Sequence, residues 1–132
     1  MKELLIKAII ENIDTVLDFT DEILKDCPPK VRNEIGLVTD EIFSNIARYA
    51  YTPNIGDAVI RVNVVNNEII IEFEDSGIPY NPLENDDPDI SVNIIDREIG
   101  GLGIFMTKKI MDNVKYEYKN NRNIFTAIKK IS

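Results

Sequence analysis

Two segments decide the fold of this chain: Asp75-Ser76-Gly77-Ile78-Pro79-Tyr80-Asn81-Pro82 and, after an acidic loop, Gly100-Gly101-Leu102-Gly103-Ile104-Phe105-Met106. Glycines placed directly before an apolar helix leave backbone N–H groups unshielded at the helix N-terminus. The helix dipole favours negative charge at the same place. The second segment therefore predicts a phosphate-binding loop that leads into a helix at Gly103.

A second polar signal lies upstream, on what the apolar spacing predicts to be a separate helix. Glu41 and Asn45 stand at positions i and i+4, so their side chains project from the same helix face. Such a pair, taken alone, is typical of a solvent-exposed helix surface. It gains weight because it precedes Asp75-x-Gly77 and the glycine segment in a fixed order.

Composition limits the chemistry that is available. The chain has 132 residues, which is the size of one domain (1–132), and a net charge of −8 with no cluster of basic residues. We therefore expect no nucleic-acid binding. There is no histidine, which removes imidazole bases and most transition-metal sites, and Cys27 is the one cysteine, so no internal disulfide is expected. Carboxylates, amides, backbone groups and a hard divalent cation remain.

No apolar run of about eighteen residues and no secretory leader is visible, so we expect neither a membrane span nor export, and a cytoplasmic location. Alternating and three-to-four-residue apolar patterns predict the elements. They are a strand at Glu3–Lys7, helices at Ile9–Leu24 and about Pro29–Tyr49, strands at Ala58–Val64 and Ile69–Phe73, a helix at Gly103–Met111, and strands at Val114–Tyr118 and Ile124–Ile128. The core stripe of the second helix is expected to comprise Val31, Ile35, Val38, Ile42, Ile46 and Tyr49.

This order predicts an α/β (α+β) two-layer sandwich, with helices on one face of a mostly antiparallel mixed sheet. Asn66-Asn67 and the segment Asn120 to Asn123 are expected to form tight turns, since asparagine tolerates positive φ. The acidic, proline-containing segment at about 79–100 is expected to form a lid.

Glu-x-x-x-Asn, Asp-x-Gly and Gly-Gly-Leu-Gly, in that order, resemble the N, G1 and G2 boxes of the GHKL (Bergerat) ATP-binding fold. The segments that begin at Asp75 and Gly100 are most similar to the anti-sigma-factor serine/threonine-protein kinase family, and the resemblance covers nearly the whole chain. Neither the Walker pattern nor the Rossmann glycine pattern is present.

The resemblance implies ATP and Mg²⁺ as ligands. Asp75 would accept a hydrogen bond from the adenine amine, Asn45 would bind magnesium, and Glu41 would activate a serine or threonine hydroxyl of a protein substrate. The other implied nucleotide-binding positions are Gly77, Gly100, Gly101, Leu102, Gly103 and Thr126. Three basic residues could offset phosphate charge or could simply be solvated: Arg97, Lys108 and Lys109.

The function implied is transfer of the γ-phosphoryl group to a small STAS-type anti-sigma-factor antagonist, together with sequestration of a sigma factor. The family also suggests a possible homodimer. Two alternatives remain open: a nucleotide-gated protein-binding module with little or no kinase activity, and a structural adaptor with a vestigial site.

Overall fold

The computed structural model describes residues 1–84 and 99–132. The described elements are β1 (Lys2–Lys7), α1 (Ile13–Ile23), α2 (Pro29–Asn45), β2 (Asp57–Val65), β3 (Glu68–Asp75), α3 (Ile99–Ile110), β4 (Asn113–Lys119) and β5 (Arg122–Lys130). Short 3-10 turns lie at Ile10–Asn12 and Pro82–Glu84, and a π-helical turn at Ile46–Ala50 follows α2. The predicted order of helices and strands is confirmed.

The five strands form one sheet in the order β1-β2-β3-β5-β4, and every neighbouring pair is antiparallel. The α/β two-layer prediction is confirmed, but the expectation of a mixed sheet is wrong for the described strands. A parallel pair would arise, for example, if β4 lay beside β3. The β4-β5 hairpin instead docks through β5, whose direction is opposite to that of β3.

Two asparagine turns close the hairpins. Asn66 and Asn67 have φ values of 52° and 64°, and Asn120 and Asn121 have φ values of 53° and 62°. Two successive residues with positive φ match the twist of antiparallel strands in a two-residue loop. The predicted turns are confirmed, although Arg122 and Asn123 belong to β5 and not to the turn.

The core lies between the helices and one face of the sheet. Alternate strand residues are almost completely buried; the largest are Ile60, Ile69, Ile71 and Phe73. They share the core with buried side chains of the α1 and α2 region, the largest being Val16, Leu24, Ile35 and Phe43. The predicted stripe of α2 is buried from Val31 to Ile46. Tyr49, however, is 60% exposed, because the π-helical turn advances fewer degrees per residue and rotates it off the stripe.

Helix α3 begins at Ile99 and not at Gly103. Gly100 and Gly101 therefore lie in the first turn of the helix, which corrects the prediction that they precede it. Most of the predicted lid, residues 85–98, lies outside the described residues. No helix within residues 1–84 and 99–132 combines the length and the apolar character that crossing a membrane requires.

Candidate functional site

Asp75 stands at the end of β3 and is 7% exposed. Its Oδ1 accepts hydrogen bonds from Gly77 N and Asn123 Nδ2, both at 2.9 Å. Among the described residues, no donor reaches its Oδ2. Burial raises the pKa of this carboxyl, and the bonds from Asn123 and Gly77 oppose that rise. A nearly buried carboxylate with one unused oxygen fits a ligand that brings its own N–H donor.

The turn after β3 is held tightly against the end of the second helix. A Cβ on Gly77 would lie 2.3 Å from the carbonyl oxygen of Ala50, and Ile78 N donates to that same oxygen at 3.1 Å. The Tyr51 hydroxyl accepts a bond from Ser76 N at 2.7 Å. Gly77 is thus required by close backbone packing, which places the Asp75 turn beside the helix that carries Glu41 and Asn45.

Glu41 and Asn45 form the pair that their spacing predicts. Asn45 Nδ2 donates to Glu41 Oε2 at 2.6 Å, and both residues are partly buried. The amide Oδ1 of Asn45 accepts no bond from the described residues. Burial raises the pKa of Glu41, while the Asn45 bond and the charge of Arg48 lower it. The pair therefore offers one desolvated carboxylate and one unused amide oxygen.

Helix α3 closes against this carboxylate. A Cβ on Gly103 would lie 1.9 Å from Glu41 Cδ, so only glycine leaves room for the side chain in this position. The two helices border a cleft of about 270 Å³, and Glu41, Arg48 and Gly103 are among its lining residues. Two exposed apolar side chains, Leu37 and Met106, also line it. Glu41 is thus held where a molecule in the cleft could reach it.

The structure brings together most of the residues that the motifs single out. Glu41, Asn45 and Gly103 form one cluster, and Asp75 and Gly77 form another at the C-terminal end of the same helix. Gly100 and Gly101 lie in the first turn of α3, where backbone N–H groups have no partner within the helix, and Leu102 follows them.

Thr126 is not brought into this site. It pairs with Glu72 across β5 and β3, whereas Asp75 pairs with Asn123. Paired residues share a face and faces alternate along a strand, so Thr126 lies on the opposite face of the sheet from Asp75.

The three basic residues proposed to offset phosphate charge differ in where they lie. Arg97 lies outside the described residues. Lys108 is half-buried, and Lys109 has its Nζ 5.4 Å from the centre of the Phe105 ring. Sequence reasoning missed Arg48, which lines the cleft, and Asn123, which contacts Asp75. The sequence places Asn123 in the turn before the strand predicted at Ile124–Ile128, so no local signal marks it as a site residue.

For the metal, no group of three or more Cys, Asp or Glu side chains that could hold an ion occurs in residues 1–84 and 99–132. Magnesium commonly takes only one or two protein ligands and completes its shell with phosphate oxygens and water. The unused Oδ1 of Asn45 is a hard donor of the right kind. The donor set therefore fits a nucleotide-bound ion better than an ion held by protein alone.

These features, an antiparallel α/β sandwich with a Glu-Asn pair facing a glycine-containing helix, define an ATPase domain of the GHKL kinase type. Residues 6–129 match the family model described as "Histidine kinase-like ATPase domain", and the chain belongs to this family. The family implies that the chain binds ATP.

Individual relatives are distant. The serine/threonine-protein kinase BtrW of Bordetella bronchiseptica is 24% identical over 98 residues, which cover 74% of this chain and 69% of BtrW. Two solved histidine kinases share the fold, each with a TM-score of 0.55. One is the histidine kinase domain of the blue-light activated kinase from Erythrobacter litoralis EL346, at 17% identity, with 79% of this chain and 46% of that chain covered. The other is AdeS of Acinetobacter baumannii, at 14% identity, with 100% and 68% covered. The chain thus spans about half of the first structure.

Proposed function

We propose that this protein is a serine/threonine-protein kinase that transfers the γ-phosphoryl group of ATP to a hydroxyl of a small STAS-type anti-sigma-factor antagonist. In the absence of that transfer it would hold a sigma factor. The position of Glu41, between Asn45 and Gly103 at the edge of a cleft, carries the proposal. The likeness to BtrW supports a serine or threonine acceptor, and the motif resemblance supports the choice of partners.

Glu41 would act as the general base. Its burial raises the pKa, so the carboxylate holds a proton more readily than an exposed glutamate does. As the acceptor hydroxyl oxygen forms its bond to the γ-phosphorus, Glu41 takes the hydroxyl proton and the bond to the ADP oxygen breaks. The remaining catalytic work is positioning and neutralisation of charge.

Asn45 and the first turn of α3 would supply that positioning. Asn45 Nδ2 donates to Glu41, and the Oδ1 of the same amide would be the magnesium ligand. The backbone N–H groups of Gly100 and Gly101 would donate hydrogen bonds to phosphate oxygens, with Leu102 beside them. Bound ATP supplies the phosphoryl group, and Mg²⁺ neutralises the charge on its phosphates.

One observation favours a second candidate, a nucleotide-gated binding module without transfer. Arg48 lines the same cleft and lowers the pKa of Glu41, as the Asn45 bond also does. Both effects weaken Glu41 as a base. In this second reading, nucleotide binding would change the retention of a partner protein, and Glu41 would serve only to hold α3.

The two functions are separated by one experiment. Proteins captured on the purified chain from native lysate are incubated with Mg-ATP, and their intact masses are recorded. Kinase activity predicts that one small protein gains a single phosphate and is released. The Glu41→Gln variant, which keeps the side-chain volume beside Gly103, should abolish the gain, whereas Glu22→Gln on exposed α1 should not.

Retention that depends on nucleotide, with no change of mass in any captured protein, would instead establish the binding module. ATP binding measured by calorimetry on the same variants is the internal control. Glu41→Gln should retain ATP binding, since Glu41 is assigned to phosphoryl transfer and not to contacts with the adenine or the phosphates of ATP.

A further inference from the structure

Asn123 is the residue on which the Asp75 turn converges. It lies on the inner face of β5, directly opposite Asp75, and is 6% exposed. Its Nδ2 donates to Asp75 Oδ1 at 2.9 Å and to the carbonyl oxygen of Ile78 at 3.0 Å. Its Oδ1 accepts bonds from Tyr80 N at 3.1 Å and from the Tyr116 hydroxyl. Two donors and one acceptor atom of this amide are thus fully used.

These partners allow only one orientation of the amide. Tyr80 N can only donate, so it requires the amide oxygen on its side. Turning the amide over would set Nδ2 against that N–H and would set the amide oxygen against the Asp75 carboxylate. Both contacts would be repulsive in a nearly buried place, where unsatisfied polar groups are costly. Asn123 Nδ2 therefore always faces Asp75.

The fixed amide determines which oxygen of the Asp75 carboxylate is left to accept a further hydrogen bond. Oδ1 of Asp75 receives N–H donors from both Asn123 and Gly77, so it has no room for a third strong donor from a ligand. Oδ2 is left as the acceptor. Without Asn123, only Gly77 N would restrain rotation of the carboxylate about its last torsion, so the other oxygen would no longer point in one fixed direction.

We propose that Asn123 is a positioning residue that orients Asp75 to accept a hydrogen bond from the 6-amino group of a purine. It holds Oδ1 and so presents Oδ2, unshared, to a donor on the bound base. This inference rests on the proposed ATP site and adds to it the residue that sets base selectivity. Asn123 itself does not contact the base, so its effect is expected in selectivity more than in general affinity.

The test compares ATP with purine riboside triphosphate, which is ATP without the 6-amino group. Dissociation constants with Mg²⁺ are measured by calorimetry on the full chain. The wild-type protein should bind ATP about tenfold or more tightly, the usual range for a hydrogen bond to a charged acceptor. Asn123→Ala should weaken ATP binding by most of that factor, change binding of the analogue little, and bring the ratio of the two constants close to one.

A purely structural role predicts a different result: both nucleotides would weaken together, and their ratio would stay at the wild-type value. Tyr116→Phe, which keeps the ring and removes only a hydroxyl that anchors the amide, should lower the ratio by a smaller factor. If Asn123→Ala does not fold, Tyr116→Phe alone tests the role of Asn123 in base selectivity. Asn113→Ala, an exposed asparagine on β4, is the matched control and should leave the ratio unchanged.

An unchanged ratio in the folded variants overturns the role of Asn123 alone, provided that the wild-type protein discriminates. Equal affinity of the wild-type protein for both nucleotides, or no ATP binding at all, overturns the assignment of Asp75 and with it this inference. The two failures are therefore distinguishable.

Discussion

Replacement of Gly103 by alanine should separate activity from stability. The new Cβ would lie 1.9 Å from Glu41 Cδ, against an ordinary carbon–carbon contact of about 3.5 Å. The Glu41 carboxylate would therefore have to move by roughly 1.5 Å. It is the end of a flexible, partly exposed side chain, so it can rotate towards solvent with little strain.

The effect on stability is the difference of two small terms. Alanine in a helix interior is better than glycine by about 1 kcal/mol, and Gly103 has a negative φ that alanine accepts. Rotation of Glu41 breaks its 2.6 Å bond from Asn45, which costs about 1 kcal/mol. The free energy of unfolding should change by less than about 1 kcal/mol. The phosphotransfer rate should fall by about 100-fold or more, as expected when a general base is displaced.

The assays are urea denaturation for stability, calorimetry for ATP affinity, and initial rates of phosphotransfer to the acceptor identified above. Gly36→Ala is the matched control, because Gly36 lies within α2 and a Cβ there would meet nothing within 4 Å. It should stabilise the protein by about 1 kcal/mol and leave the rate unchanged. A wild-type rate in Gly103→Ala would refute the placement of Glu41 as the base, and a stability loss above about 2 kcal/mol would show that Glu41 cannot move aside.

Three further substitutions and one pH series test other features of the structure. Gly77→Ala should cost about 1–3 kcal/mol of unfolding free energy by denaturation, because its Cβ would meet the Ala50 carbonyl oxygen at 2.3 Å and backbone cannot rotate away; no loss would contradict the close packing. Thr39→Val should raise stability by about 1 kcal/mol, since the fully buried Thr39 Oγ1 finds no partner among the described residues; a loss would point to a hydrogen bond of that hydroxyl. Asp75→Asn should abolish selective ATP binding in calorimetry while the fold persists, because the amide can keep an oxygen towards Asn123 and places an NH₂ group where Oδ2 was; retained affinity would exclude Oδ2 as the acceptor. Burial raises the folded-state pKa of Asp75 above its ordinary value, so the ionised carboxylate lowers stability above that pKa, and this penalty disappears as the pH falls to the pKa of the unfolded state. The stability of the wild-type protein relative to Asp75→Asn should therefore improve on acidification from pH 7. Thermal unfolding at several pH values measures this difference, and a constant difference would contradict the prediction.

The sequence predicted well those features that local patterns control. Strands β2 and β3 carry an apolar residue at every second position, and two adjacent asparagines can supply the positive φ that a short hairpin needs. Both signals are local, so neither depends on how the rest of the chain folds. The burial of Ile35 and Val38 follows in the same way from helical spacing.

The prediction failed at Tyr49 for a reason that spacing cannot reveal. Helical periodicity assumes 3.6 residues per turn, and the π-helical turn at Ile46–Ala50 departs from it. The departure coincides with the place where the Ala50 carbonyl accepts the bond from Ile78 and leaves no room for a side chain at Gly77. The end of this helix thus coincides with its contact with the Asp75 turn, and not with a signal of local helix propensity.

The candidate site shows the same division between local and long-range information. Motif order identified Glu41, Asn45, Asp75 and Gly103, but the contact between Glu41 and Gly103 depends on how α2 packs against α3. The separation of Thr126 from the face of Asp75 has a simple geometric cause. Which residues of β5 share the face of Asp75 depends on the register between β3 and β5, two strands separated in sequence by α3 and β4. A shift of one residue exchanges the two faces, so no local pattern in β5 could decide between Thr126 and Asn123. The structure fixes that register by pairing Asp75 with Asn123, and the amide that replaces Thr126 in the site is the one that leaves Asp75 a single oxygen to offer.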